Sequence, residues 1–197
     1  MGHRIALVLA AVGALLITAA HTAVAGGGTQ GMGTVTCAVA GQAKFKPALT
    51  NLGTVTPVTA KLKGKFAMCS GTGDGMGITA GKLIVKISIM GTNGCNELGG
   101  FPAFDATIKW KGSAKLDAST VHFAASPALS SGPYNSVVFQ FIGTMDAAGS
   151  FPGQSVTLAV DTDETLTDIE TACLPTRRGL EKYHFTGVNA ASTFATP

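Results

Sequence analysis

Charge is scarce in this chain: of 197 residues only 14 are Lys or Arg and 11 are Asp or Glu. That density is too low for a nucleic-acid binder, a coiled coil or a charge-solvated disordered chain. Aromatics are few, with one Trp and two Tyr beside ten Phe, which leaves little for the sugar platform of a glycosidase cleft. None of the four cysteines forms a C-x-x-C pair, so a zinc site or a thioredoxin-like redox motif lacks its ligands. No Ser stands in a G-x-S-x-G elbow and no S-x-x-K pair occurs, which removes the usual signatures of a serine nucleophile. Gly71 to Gly77 (GTGDGMG) is glycine-rich but lacks the Lys-Ser/Thr ending of a phosphate loop, and a strand follows it instead of a helix. No cofactor is implied by any of these segments.

Only one long apolar run is present, Ile5 to Ala20, and it is short for a membrane span of ~20 residues. Met1-Gly2-His3-Arg4 before it and Ala23-Val24-Ala25 after it complete the pattern of a secretory signal peptide over residues 1–25. Residues 26–197 then form a single domain with 13 basic and 11 acidic groups, for an extracellular or cell-envelope location. Cys37, Cys69, Cys95 and Cys173 all fall in that part, and an even count in an oxidising compartment reads as two disulfides. Of the three connectivities we expect Cys37–Cys69 and Cys95–Cys173.

The apolar residues recur with period two. Val58, Ala60, Leu62, Phe66 and Met68 alternate with Thr59, Lys61, Lys63 and Lys65. Leu83, Val85 and Ile87, then Phe104, Ala106, Ile108 and Trp110, then Val137, Phe139 and Phe141, then Val156, Leu158 and Val160 repeat the pattern. Such segments are strands with one face in a core and one in water. Turn residues separate them, and no helical crossover intervenes, so pairing is antiparallel. Only Asp163 to Cys173 breaks the period, reading as a short helix capped by Asp163 or Thr165 and stopped by Pro175. The expected fold is therefore all-β, an antiparallel sandwich or closed barrel of about eight or nine strands with one short helix near the C-terminus. Residues 26–33 and the last five are read as loose ends.

A run of features along the chain resembles a known group. A strand Cys precedes Lys44 to Thr50 (KFKPALT), and a long alternating strand ends in Cys69-Ser70-Gly71. Gly91 to Cys95, Ile108-Lys109-Trp110, Gly149 to Gly153 (GSFPG) and Gly179 to Lys182 (GLEK) follow. In this the chain resembles the small exported four-cysteine all-β proteins of actinobacteria, a family of unknown function. The resemblance implies an exported, disulfide-bonded β-domain and brings no catalytic residues.

Candidate sites are few. His122 and His184, the histidines beyond residue 25, read as surface or partly buried structural groups. Asp161, Asp163, Glu164 and Asp168 crowd one junction, where helix capping is a simpler role than a cation loop. The charge distribution is the least ordinary feature. Residues 26–115 hold ten Lys against three acids, whereas residues 116–176 hold seven acids and no Lys or Arg. Lys61, Lys63 and Lys65 project from one face of one strand, with Lys44 and Lys46 in the segment before it. Two arrangements follow. If acidic strands neighbour this one, cross-strand ion pairs form and the lysines serve only solubility and edge protection, the more ordinary outcome. If the acids pack elsewhere, the lysines make a patch for anionic envelope polymers or lipid headgroups. Overall the expectation is a secreted or cell-surface domain that binds or displays and is not an enzyme. The alternatives are a carrier of a small lipophilic ligand and a hydrolase assembled from distant residues.

Overall fold

The computed structural model describes residues 31–195 except 52, 54, 90–92, 96–101, 114, 126–127, 132–135 and 186–192; the signal segment read in residues 1–25 lies outside the described residues. Ten strands form one antiparallel sheet: β1 (Val35–Leu49), β2 (Val58–Gly71), β3 (Ile78–Ile89), β4 (Phe104–Gly112), β5 (Ser119–Phe123), β6 (Ala128–Ser131), β7 (Ser136–Met145), β8 (Ser155–Thr165), β9 (Leu180–Phe185) and β10 (Thr193–Ala195). The order β10-β8-β7-β5-β4-β3-β2-β1 returns to its start, because β10 pairs with both β8 and β1. Eight strands thus make a barrel, the second of the two expected architectures. β6 is attached to β7, and β9 to β1.

Strand β1 serves two neighbours along one edge. Thr36 to Ala38 face β10, and Gly41 to Lys44 face β9. The change of partner falls at Gly41, where a Cβ would run into the carbonyl oxygen of Lys63, so the close approach requires glycine.

The period-two pattern sets which side chains fill the barrel. Leu62, Phe66, Val85, Ile87, Ile108, Trp110, Phe139, Phe141, Leu158 and Val160 are all buried, and Lys61, Lys63, Lys65, Lys109 and Lys111 all face solvent. Rings occupy much of the interior. Phe104 packs on Phe123 and Phe141 at 5.0 and 5.2 Å, and Tyr183 on Phe139 and Phe45 at 5.4 and 5.6 Å. Trp110 packs between Phe66 and Phe151, and its indole N–H donates to Ser119 Oγ at 2.9 Å. Ser119 in turn donates to the Ser150 carbonyl at 2.7 Å. The space left between residues such as Leu62, Val85, Phe141 and Tyr183 is about 10 Å³, enough for one water. An eight-stranded barrel is just wide enough for its own side chains. The described core side chains occupy this one's centre.

Both expected disulfides are formed, Cys37–Cys69 and Cys95–Cys173. The first depends on a departure from the alternation. Ala38 pairs with Ala67 and Thr36 with Ser70, so two residues of β2 stand opposite one of β1. In this bulge Met68 takes a φ of 49° and is 81% exposed, contrary to its expected place in the core, and Cys69 is brought beside Cys37.

Three other expectations are corrected. The helix, α1 (Leu166–Ala172), is shorter than Asp163–Cys173, because β8 continues past the buried Asp161 and Thr162 as far as Thr165. It starts only where Thr165 and Asp168 form a reciprocal capping box. Residues 31–33, read as part of a loose end, are tied down: Phe151 N–H donates to the Gly31 carbonyl, and Met32 N–H to Asp74 Oδ2. Residues 193–195, also read as loose, form β10, the strand that closes the ring. Among the described residues no helix is long and apolar enough to cross a membrane.

Candidate functional site

Register decides what the outer face of β1, β2 and β3 presents. Lys61 on β2 stands directly opposite Lys44 on β1 and Lys86 on β3. Lys44 in turn stands opposite Lys182 on β9. Four residues further along β2, Lys65 faces Lys82 on β3, and Lys82 faces Lys109 on β4. Five Lys–Lys pairs are therefore cross-strand neighbours. Lys63 lies between the two rows, opposite Gln42 and Ile84, and Lys46 lies opposite Thr59. All of these lysines are exposed. None has a carboxylate oxygen within 4.0 Å among the described residues, whose ion pairs all involve histidine.

This outcome reverses the more ordinary expectation for the lysines. Cross-strand neutralisation fails because both neighbours of β2 come from the same basic half of the sequence. Most described acids sit elsewhere: Asp105 on β4, Asp117 just before β5, Asp146 just after β7, Asp161, Asp163 and Glu164 on β8, and Asp168 and Glu170 on α1; Glu181 on β9 is the exception. Sequence reasoning named Lys44, Lys46, Lys61, Lys63 and Lys65 and missed Lys82, Lys86, Lys109 and Lys182 as their partners. Their outward phase was visible in the alternation, but the strand order was not.

Along the first row the surface is concave. A groove of about 760 Å³ is lined by Lys44, Lys46, Thr59, Lys61, Lys86 and Lys182, together with Phe45, Pro47, Ala48 and Glu181. Five ammonium groups and one carboxylate face the same volume. Such a surface attracts anions.

The histidines lie against carboxylates. His122 Nδ1 is 2.6 Å from Asp105 Oδ1, and its Nε2 is 3.6 Å from Asp146 Oδ2. The hydrogen bond to Asp105, then its charge, with a smaller contribution from Asp146, raise the His122 pKa above the ordinary 6.5. A catalytic triad needs one imidazole nitrogen aimed at a nucleophile. Here both nitrogens lie near carboxylates on an exposed wall, which stabilises the imidazolium. His184 Nδ1 lies 3.2 Å from Glu164 Oε1, and both Glu164 oxygens accept the His184 backbone N–H. Glu164 thereby fastens β9 to the end of β8. Its charge and, above all, burial push the Tyr183 hydroxyl pKa up.

The acidic cluster of the sequence is dispersed among separate tasks. Asp168 accepts from Thr165 Oγ1 and from its backbone N–H, and these hydrogen bonds hold its carboxyl below the ordinary range. Asp161 is buried and Asp163 exposed, and Glu164 holds β9. Among the described residues no group of three His, Cys, Asp or Glu is placed to hold a metal ion. Comparison with protein-family models, curated proteins and solved structures finds no match to this chain.

Proposed function

We propose that the protein is an exported domain that acts at the cell envelope by binding, and that the lysine wall of β9, β1, β2 and β3 is its contact surface for anionic envelope polymers. The observation that carries this reading is the set of five opposed Lys–Lys pairs, none with a carboxylate oxygen within 4.0 Å among the described residues. Like charges directly opposite one another destabilise a sheet. Thr or Ser at these exposed positions would satisfy the strands at no such cost. A stretch of sheet that breaks a local rule repeatedly on one face is where function is to be sought.

The signal segment read in residues 1–25, the two disulfides and the likeness to exported four-cysteine β-proteins support the location. The filled interior favours surface binding over carriage of a small lipophilic ligand. The placement of both His122 nitrogens against carboxylates favours it over hydrolysis.

Co-sedimentation of the purified protein with cell-wall preparations tests the reading. Binding should be strong at low salt, weak at high salt, and lost when Lys44, Lys61 and Lys86 are all replaced by Ser. Binding indifferent to salt, or to those three substitutions, would reject it.

A further inference from the structure

We infer that the groove takes a linear polyanion laid across the strands, with Lys182, Lys44, Lys61 and Lys86 meeting successive anionic groups. This rests on the binding reading above and specifies its ligand class and path. The four lysines stand in one cross-strand row on β9, β1, β2 and β3. Neighbouring strands are about 4.8 Å apart, so the row offers one cation per strand over roughly 15 Å. The three lysines along β2 instead repeat every second residue, at roughly 7 Å, and leave the groove after Lys61.

Three observations choose the partner. First, the groove gathers five lysines with a single acid, Glu181. Second, the row crosses three strands of the closed ring and therefore curves. A flexible chain can follow that curve, whereas a flat bilayer meets only the most prominent part of it. Third, every aromatic side chain whose burial is described lies in the core. Phe45, the ring that lines the groove, is itself buried, so among the described residues stacking finds no exposed ring and the polymer is read by its charge. At the far side of the row, Asp105 adjoins Ala106, which faces Val85, and the acidic group around His122 begins. Repulsion from Asp105 and Asp146 ends the path.

The test compares two variants with equal loss of charge: Lys44→Ser with Lys86→Ser, which interrupts the row, and Lys63→Ser with Lys65→Ser, which spares it. Binding of long-chain polyphosphate, inorganic phosphate and anionic phospholipid vesicles is measured across a salt series, with thermal melts to verify folding. The intact protein should bind polyphosphate and not inorganic phosphate. Its log–log salt slope should be close to −3, from four contacts at about 0.7 each. The row variant should bind roughly thirtyfold more weakly with about half that slope. The β2 variant should weaken by no more than about threefold. Equal losses in the two variants would overturn the path while leaving surface binding standing. Capture by vesicles but not by polyphosphate would replace the polymer with a membrane and overturn the ligand class. Binding to none of these probes, together with no binding to cell-wall preparations, would remove the underlying reading as well.

Discussion

Replacing Lys61 by Thr should stabilise the protein, and the gain should vanish with salt. Lys61 is exposed and has a lysine directly opposite on each side, Lys44 and Lys86. Facing Cα atoms in an antiparallel pair are about 4.5–5.5 Å apart, and the ammonium groups splay to roughly 7 Å. At that distance two like charges in water repel by about 0.6 kcal/mol, so two pairs amount to about 1.2 kcal/mol. Screening leaves most of this at low ionic strength, where the Debye length is about 30 Å. At physiological ionic strength, with a Debye length of about 8 Å, it leaves a little under half, and at 1 M about a tenth. A gain of about 1 kcal/mol corresponds to roughly 2–4 °C in Tm for a domain of this size.

Thr also fits a strand better than Lys, which adds a constant that salt does not touch. The diagnostic is therefore the slope of the gain against salt, read from thermal melts of both proteins over a salt series. Lys115→Thr, at an exposed position between β4 and β5, is the control and should show little slope. A destabilised Lys61→Thr at low salt, or a gain independent of salt, would refute the claim that the opposed lysines repel.

Three further outcomes are expected. Ser119→Ala removes the acceptor of the Trp110 indole N–H and the donor to the Ser150 carbonyl, both buried, and should cost about 1–3 kcal/mol in chemical denaturation, with a change in Trp fluorescence. Because the His122 pKa is raised in the folded state, its stabilising contribution is full below the ordinary value of 6.5 and is lost as pH rises through the raised value. Melts of His122→Gln against the intact protein should therefore diverge at mildly acidic pH and converge above the raised value, and an NMR titration of the ring should give that value directly. Replacing Cys95 and Cys173 together by Ser opens a bridge between residues 78 apart and should cost about 4.5 kcal/mol on the chain-entropy estimate, read from denaturant midpoints.

How much of this was legible in the sequence depends on the range of the cause. Burial of Trp110, Leu62 and Phe141 was readable because the phase of a strand is local. Met68 was misplaced because a bulge shifts the phase by one residue, and nothing local to FAMCSG marks it. Thr193 to Ala195 form a strand only because β8 and β1 offer free edges on either side, a tertiary cause that a short apolar stretch does not reveal. Phe151, in the turn GSFPG, packs on Trp110 with a φ of 60°. The turn residues were visible, but their service to the core was not. For the candidate site, outward-facing lysines were visible on β2, and the decisive fact, that their neighbours are also lysines, belongs to strand order.

Strand order also accounts for where the covalent bonds lie. The repulsive rows are mounted on β1, β2 and β3, the three longest strands, at 15, 14 and 12 residues. Cys37–Cys69 joins the start of β1 to the end of β2. At the other end of β1, Thr50 N–H donates to the Asn93 carbonyl, Cys95 N–H to the Thr50 carbonyl, and Asn51 N–H to the carbonyl of Cys173, the partner of Cys95. β1, the central lysine-bearing strand of the first row, is thus held at both ends, by one disulfide directly and by the other through backbone hydrogen bonds. Like-charge repulsion acts to separate strands, and these clamps oppose that separation without forming an ion pair to the lysines among the described residues. Ion pairs would have stabilised the same strands by cancelling the positive surface. Disulfides and a filled aromatic interior stabilise them and leave it intact.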